Sequence, residues 1–381
     1  MNTELIGLLK VFDAICADPY RAAREAAAQG QPVAGFMCSY SPQELFHAAG
    51  YFPVRLLGHE GGTPLADELL QAYSCSFARS AFDSALAGER DFLSLVVFAH
   101  TCDTMQNLGD LWRRRRPDTP TIIVSTPNLN VGMPAFTYFR RELDRVRSCV
   151  EEIAGQSIPD EAIMDSIRLY ERHRAKMKLL YTLRRTRPGV LSGQQMFSVV
   201  LSSFLMRKED HLREIDALAN ALKTETSEPG KRPTVLVAGS VCQAVGFVEA
   251  IEDAGALVTD DDLCMGSRSY VLPPSPEGNP MDVLAELYMS RVPCPAFHKP
   301  GFDPAAHLLE QVRDANVDGV VFLTTKFCDP YGFDYPHVNR KLEQAGVPTL
   351  LLEVEQHQPV PAQFRTRVEA FVEVLRGKKA S

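Results

Sequence analysis

The 381 residues include a single tryptophan, and 40 Lys and Arg are outnumbered by 48 Asp and Glu, a formal net charge of -8. That balance disfavours a general nucleic-acid binder, because phosphate contacts need clustered cations. No apolar run reaches the length a bilayer crossing requires. The opening stretch MNTELIGLLKVFDAICADP has no basic leader, long apolar core or small-residue cleavage site, so it is expected to be a mature amphipathic helix of a cytoplasmic protein. There is no GxxxxGK[ST] phosphate loop and no GxGxxG after a strand, which leaves ATP hydrolysis and nicotinamide binding without a site. There is also no GxSxG nucleophile elbow. No two cysteines are spaced CxxC, which argues against a zinc ribbon or finger and against a ferredoxin-type ligand run.

What is present is a chain 45% hydrophobic and 23% charged, long enough for two or three cores. Short β-branched runs alternate with helical patterns, the signature of parallel sheets wound with helices. The predicted strands are 33–37, 53–57, 94–99, 121–126, 234–239, 257–261, 319–325 and 349–354. Between the fourth and fifth, residues 150 to 222 carry almost no strand character. There Ile163, Ile167, Tyr170, Met177 and Leu180 recur at helical spacing, and LSGQQM restarts a helix after Pro188 and Gly189. The polar stretch KTETSEPGKRP (223–233) reads as a linker. The expectation is an α/β protein of two doubly wound parallel-sheet domains joined by a helical region. The N-terminal domain spans 1–150, the helical region 151–230 and the C-terminal domain 231–381.

Nine cysteines in a reducing compartment point away from a disulfide framework and toward metal or redox use. Ligands of open α/β sheets bind beyond the carboxyl ends of the strands. Cys38, Cys102, Cys264 and Cys328 each follow a predicted strand. Cys75 sits at a predicted helix start, with Ser74 as the expected cap and the positive helix end favouring a thiolate. Cys294 lies between two prolines in a rigid loop. Any one of these taken alone reads more simply as a small packed hydrophobe. Six in such settings point to a shared inorganic centre at an interdomain cleft, an iron–sulfur cluster held by thiolates arriving singly from separate loops. Cys16, Cys149 and Cys242 have no polar, turn-rich surroundings and are read as structural. The run RRRRP (113–117) reads as a solvated helix end, with a phosphorylated small molecule as the alternative, and GSRSY (266–270) as a turn with one basic residue.

Six segments carry a resemblance. They are GFMCSYSPQELFHAAGYFPVRLLG (35–58), YSCSFARS (73–80), VVFAHTCDTMQNLGDLW (96–112), DDLCMGSRSY (261–270), KFCDPYGFDYP (326–336) and QFRTRVEAFVEVL (363–375). Together they resemble, in order and over nearly the whole chain, the 2-hydroxyacyl-CoA dehydratase and ATP-dependent (class I) benzoyl-CoA reductase family. Within it the chain looks most like the smaller, gamma-type subunit of the reductases.

The resemblance implies a homologous larger catalytic subunit, a separate dimeric iron–sulfur ATPase activator that injects low-potential electrons, and benzoyl-CoA or another acyl-CoA at the complex. Neither nucleic acid nor membrane is expected as a partner. Cys75, Cys102 and Cys328 match the family's cubane ligands. With Cys38, Cys264 and Cys294 the set resembles that of relatives whose six cysteines hold a double cubane (8Fe-9S), with a single 4Fe-4S cubane as the alternative. The function implied is electron relay for reduction of the benzoyl-CoA ring to a cyclic dienoyl-CoA. The alternatives are a dehydratase subunit working through a ketyl radical and a non-catalytic double-cubane electron-transfer protein. No residue is assigned to catalysis. Asp103, Asp329, Lys326 and His100 are candidates to tune a cluster from beside the thiolates, with turn, cap or strand-end roles as their plainer readings. Arg365 and Arg367 are candidates for CoA phosphates or a partner, or else for an exposed helix face.

Overall fold

In the computed structural model, which describes residues 3–226, 230–356 and 358–380, each predicted apolar run is a strand. Residues 227–229 of the predicted linker lie outside the described residues. The first half runs α1 (Thr3–Ala17), α2 (Arg21–Ala28), β1 (Val33–Phe36), α3 (Gln43–Ala48), β2 (Phe52–Arg55), α4 (Pro64–Asp67), α5 (Ser76–Leu86), β3 (Leu95–His100), α6 (Asp103–Arg115) and β4 (Thr121–Ser125). Four helices follow, α7 (Gly132–Ala154), α8 (Asp160–Thr186), α9 (Gly193–Ser202) and α10 (Lys208–Ala221). The second half runs β5 (Thr234–Gly239), α11 (Val245–Asp253), β6 (Leu257–Asp262), α12 (Pro280–Met289), α13 (Pro304–Asp314), β7 (Gly319–Thr325), α14 (Asp329–Gln344), β8 (Thr349–Val354) and α15 (Ala362–Ala380). No described helix is long and apolar enough to cross a membrane.

The strands form two four-stranded sheets, ordered β2-β1-β3-β4 and β6-β5-β7-β8, and every pairing is parallel. The chain is an α/β protein of two such units. Both sheets share one winding, in which the second strand lies on one side of the first and the third on the other. With right-handed crossovers, that reversal puts helices on both faces. The central strands are correspondingly apolar, and β1, β5 and β7 are buried at every position, whereas β6 ends in three aspartates.

Local chemistry explains the helix ends. At α9 the Ser192 hydroxyl accepts from the Gln195 amide at 3.0 Å, while the Gln195 side chain accepts from the Ser192 amide at 2.9 Å. At α6 three arginines, Arg113 to Arg115, occupy the last turn, where the helix dipole favours cations. Arg116 then bonds the Ala85 carbonyl at 2.6 Å. The basic run is thus a helix terminus.

The two halves are stapled together where the strand ends meet. The Gln356 amide donates to Ser76 Oγ at 2.9 Å, and the Gly58 amide donates to Gln243 Oε1 at 2.8 Å. Gly239, the last residue of β5, admits no side chain: a Cβ there would stand 2.0 Å from the Leu323 carbonyl oxygen on β7. Gly239→Ala is expected to cost about 1–3 kcal/mol, the usual range for forcing extra volume into a packed site. The check is a lower urea midpoint at unchanged slope. An unshifted midpoint would mean that β5 and β7 part at this end without penalty.

Candidate functional site

In each sheet the winding reverses between the first and third strands, and the crevice beyond their carboxyl ends is where such folds bind ligands. Here the two crevices face each other across one cavity of about 940 Å³ of atom-free space, part of it open to solvent. Cys38, Cys75, Cys102, Cys264, Cys294 and Cys328 all line it. Cys38 follows β1, Cys102 follows β3, Cys264 follows β6 and Cys328 follows β7. Cys75 precedes α5, and Cys294 lies in the loop between α12 and α13. Cys16, Cys149 and Cys242 do not line the cavity; Cys242 is wholly buried in the core.

The cysteines are held in two ways. Cys75, Cys102 and Cys328 are each the N-cap residue of a helix, α5, α6 and α14. The expected Ser74 cap is therefore corrected. Cys75 occupies that position, with φ −62° and ψ 146°, and no side chain closes a capping hydrogen bond. Instead the amides of Ala78, Met105 and Tyr331, each three residues on, favour negative charge on the sulfur. Before α14, Phe327 adopts a left-handed φ of 64°. That conformation, uncommon for a bulky residue, turns the chain so that the Cys328 amide bonds the Thr325 carbonyl at 3.0 Å.

Cys38, Cys264 and Cys294 sit in turns. The Cys264 amide donates to the Ser240 carbonyl at 3.0 Å, and its own carbonyl accepts from Ser269 Oγ at 3.0 Å. Gly266 allows this turn to close on Asp261, since a Cβ there would lie 1.9 Å from the carboxylate oxygen. Asp261 in turn accepts from the Ser267 amide at 2.8 Å and the Tyr181 hydroxyl at 2.6 Å.

By placement the six form two trios, the helix-start Cys75, Cys102 and Cys328 and the turn Cys38, Cys264 and Cys294, and electrostatics couple the sulfurs within each trio and across them, Cys102 with Cys38 and Cys328 with Cys264. Cys294 is disfavoured as a thiolate by Cys264 and Cys38, and Cys38 by Cys264. Cys75 is disfavoured by Cys328 and Cys102, and Cys102 by Cys38 and Cys328. Each trio draws on both sheets. Burial is the first cause of a raised pKa at five of the thiols, reaching about 12 at Cys75 and about 11 at Cys102. At Cys75 burial thus outweighs the helix end that was expected to favour the thiolate. Cys264 is the exception. Burial opposes its ionisation too, but Arg55, the Ser39 hydroxyl, Arg291 and Arg268 together hold it below the ordinary thiol value.

Those three arginines were missed in the sequence. Arg268, the basic residue of GSRSY, makes a two-pronged ion pair with Asp262 at 2.6 and 2.5 Å. Burial opposes charge on Asp262, yet Arg268 holds its carboxyl well below the usual range. Arg55 is 1% exposed. Its one available signal was a lone charge inside the apolar stretch PVRLL. Arg291 lies over the rings of Tyr40 and Tyr288.

None of the four proposed tuning residues, Asp103, Asp329, Lys326 and His100, lines the cavity. Asp103 and Asp329 are exposed first-turn residues of α6 and α14, where a carboxylate complements the helix dipole. Lys326 is half-exposed and pairs with Glu355 at 3.6 Å. His100 ends β3, and its Nε2 is buried without a partner among the described residues. Arg365 pairs with Asp253 at 3.4 Å on the surface, and Arg367 is exposed on the same helix.

Thiols in this number suit a soft or multinuclear metal group. Among the described residues no three His, Cys, Asp or Glu side chains gather tightly enough for a single ion. The sulfurs surround a volume instead of a point.

Comparison with known proteins places this architecture. Residues 38–375 match the family model described as 2-hydroxyglutaryl-CoA dehydratase, D-component. The chain is 30% identical over 348 residues to the (R)-phenyllactyl-CoA dehydratase beta subunit of Clostridium sporogenes, covering 91% of this chain and 92% of that one. It is 29% identical to the lactoyl-CoA dehydratase beta subunit of Anaerotignum propionicum, over 97% and 98% of the two chains. It is 26% identical to a benzoyl-CoA reductase subunit of Thauera aromatica, over 94% and 95%. The relatives are named as subunits, and the chain belongs to this family of 2-hydroxyacyl-CoA dehydratase and benzoyl-CoA reductase subunits.

Proposed function

We propose that this chain is the iron–sulfur subunit of an ATP-dependent benzoyl-CoA reductase, in which Cys38, Cys75, Cys102, Cys264, Cys294 and Cys328 hold a double cubane. The observation that carries this reading is the meeting of six cysteines, three at helix starts and three in turns, on one cavity between two sheets. The donor set fits such a group in a second respect. The guanidiniums of Arg55 and Arg291 open onto the cavity, and a cluster with thiolate ligands is anionic. When bound, the group supplies storage and transfer of electrons at low potential. The chain's own residues then do three things. The cysteines give up their protons to become ligands, the walls of Met37, Phe77, Met105 and Val292 keep water from the sulfurs, and the buried cations balance the charge. With no phosphate loop in the chain, the drive comes from an ATPase partner, and the acyl-CoA ring is reduced at a homologous larger subunit.

Iron and acid-labile sulfide per chain, measured on anoxically purified protein, test the reading. About eight irons are expected, against about four for a single cubane. A count near four removes the sealed double cubane and moves the active site into this chain.

Dehydration of a 2-hydroxyacyl-CoA is the second reading, favoured by the 30% identity to a dehydratase subunit. The two separate in the assembled complex. Ring reduction consumes ATP and electrons with every product, whereas dehydration recycles its electron. Failure to support either reaction while retaining about eight irons leaves the non-catalytic electron-transfer protein.

A further inference from the structure

A buried cation without a carboxylate is costly unless something compensates it. Among the described residues two such cations line the six-cysteine cavity: Arg55, 1% exposed, and Arg291, 8% exposed. Among the described residues neither has an ion pair, whereas Arg268, the third arginine of the cavity, is neutralised by Asp262. Arg55 rests on the faces of Phe36 and Phe204, and its Nε is buried with no partner among the described residues. Its Nη1 donates to Ser39 Oγ at 2.8 Å. Ser39 Oγ in turn lies 3.3 Å from the Cys264 carbonyl oxygen and 3.5 Å from its sulfur. A continuous polar path therefore runs from a permanent charge to one sulfur. Arg291 rests on the rings of Tyr40 and Tyr288, and Tyr40 faces Cys294 and Cys38. Both cations thus bear on the Cys38, Cys264 and Cys294 trio.

We propose that Arg55 and Arg291 are positioning residues, the built-in counter-charges of the anionic group this cavity would hold, and that they raise the reduction potential on its Cys264 side, Arg55 acting through Ser39. The inference rests on the iron–sulfur reading above. A positive charge in a low-dielectric wall stabilises the reduced, more negative state, and aromatic faces leave that charge unneutralised. At the other trio the three helix N-termini offer partial charges, and the cation favouring the Cys75 thiolate, Arg79, is already paired with Asp67 and Glu355. The site is thereby electrically lopsided, with the Cys264 side the more easily reduced.

The test uses the full chain, prepared anoxically as wild type and as Arg55→Gln, Arg55→Lys, Arg291→Gln and Ser39→Ala, with iron content and an EPR-monitored redox titration as readouts. Arg55→Gln and Arg291→Gln are expected to keep their iron and to shift the midpoint to more negative potential. Arg55→Lys should restore most of the shift, and Ser39→Ala should produce a smaller one of the same sign. If Arg55→Gln loses iron while Arg55→Lys retains it, the requirement for charge still stands. Unchanged potentials at full iron overturn the proposal and leave the iron–sulfur reading intact, as does iron loss in both Arg55 variants, which would mark a need for shape. Wild-type protein that takes up no iron overturns the parent reading itself.

Discussion

Cys264→Ala and Cys102→Ala are each expected to strip much of the iron from anoxically prepared protein, whereas Cys16→Ala, Cys149→Ala and Cys242→Ala leave it in place. The reason is position. Cys264 and Cys102 come from different trios and different sheets, yet line one cavity. Cys242 is buried in the core, Cys16 contacts the Ser198 carbonyl at 3.5 Å, and Cys149 lies 3.7 Å from an Arg145 nitrogen. On the proposed six-thiolate reading each cavity variant removes one ligand, and no apolar wall residue can replace it. The measurement is iron and sulfide per folded chain, with circular dichroism to confirm folding. Equal retention of iron by Cys264→Ala would confine the ligands to the Cys75, Cys102 and Cys328 trio.

Arg174→Met is expected to lower stability by about 3–5 kcal/mol, the cost of stranding one partner of a buried ion pair. Arg174 Nη1 lies 2.9 Å from Glu44 Oε1, with the two residues 7% and 3% exposed. The other Glu44 oxygen accepts from the Tyr288 hydroxyl at 2.8 Å. The pair thus ties α8 to α3 and, through Tyr288, to α12, just before the Arg291 and Cys294 loop. With the guanidinium gone, the carboxylate keeps its burial and loses its counter-charge. Glu44→Gln/Arg174→Met should lose less than Arg174→Met alone, because the buried carboxylate is no longer charged. A urea-unfolding double-mutant cycle reads this directly. A single-variant loss below about 1 kcal/mol would show that water reaches Glu44, as at a surface pair.

The strands were legible because a parallel strand covered on both faces carries a nearly continuous apolar run. GVVFLTT at 319–325 is buried throughout, as its composition requires. The six cysteines were legible because strand ends, a helix start and a proline-held loop are poor places for a merely packed thiol. The helical region was legible from its periodicity, although its helices begin at Gly132 within α7, before residue 151. The arginines were not legible. Charged residues are common everywhere in a chain, and only burial separates Arg55 at 1% exposure from the exposed Arg113 of the helix end. Asp103 and Asp329 stay outside the cavity for the matching reason: adjacency in sequence to a cavity cysteine does not put a side chain into the cavity, although the Asp329 charge still disfavours the Cys328 thiolate. At a helix start the N-cap faces one way and the first-turn carboxylate turns to solvent.

Apolar period and donor chemistry along the chain suffice for the strands, most of the helices and the residues able to bind soft metal. Tertiary structure alone decided that both sheets share one winding, that their crevices face each other, and that the trios cross between the halves. It alone decided, too, which arginines are sealed in beside them. Those outcomes depend on distances between residues hundreds of positions apart, and only the packing of two separate cores sets such distances.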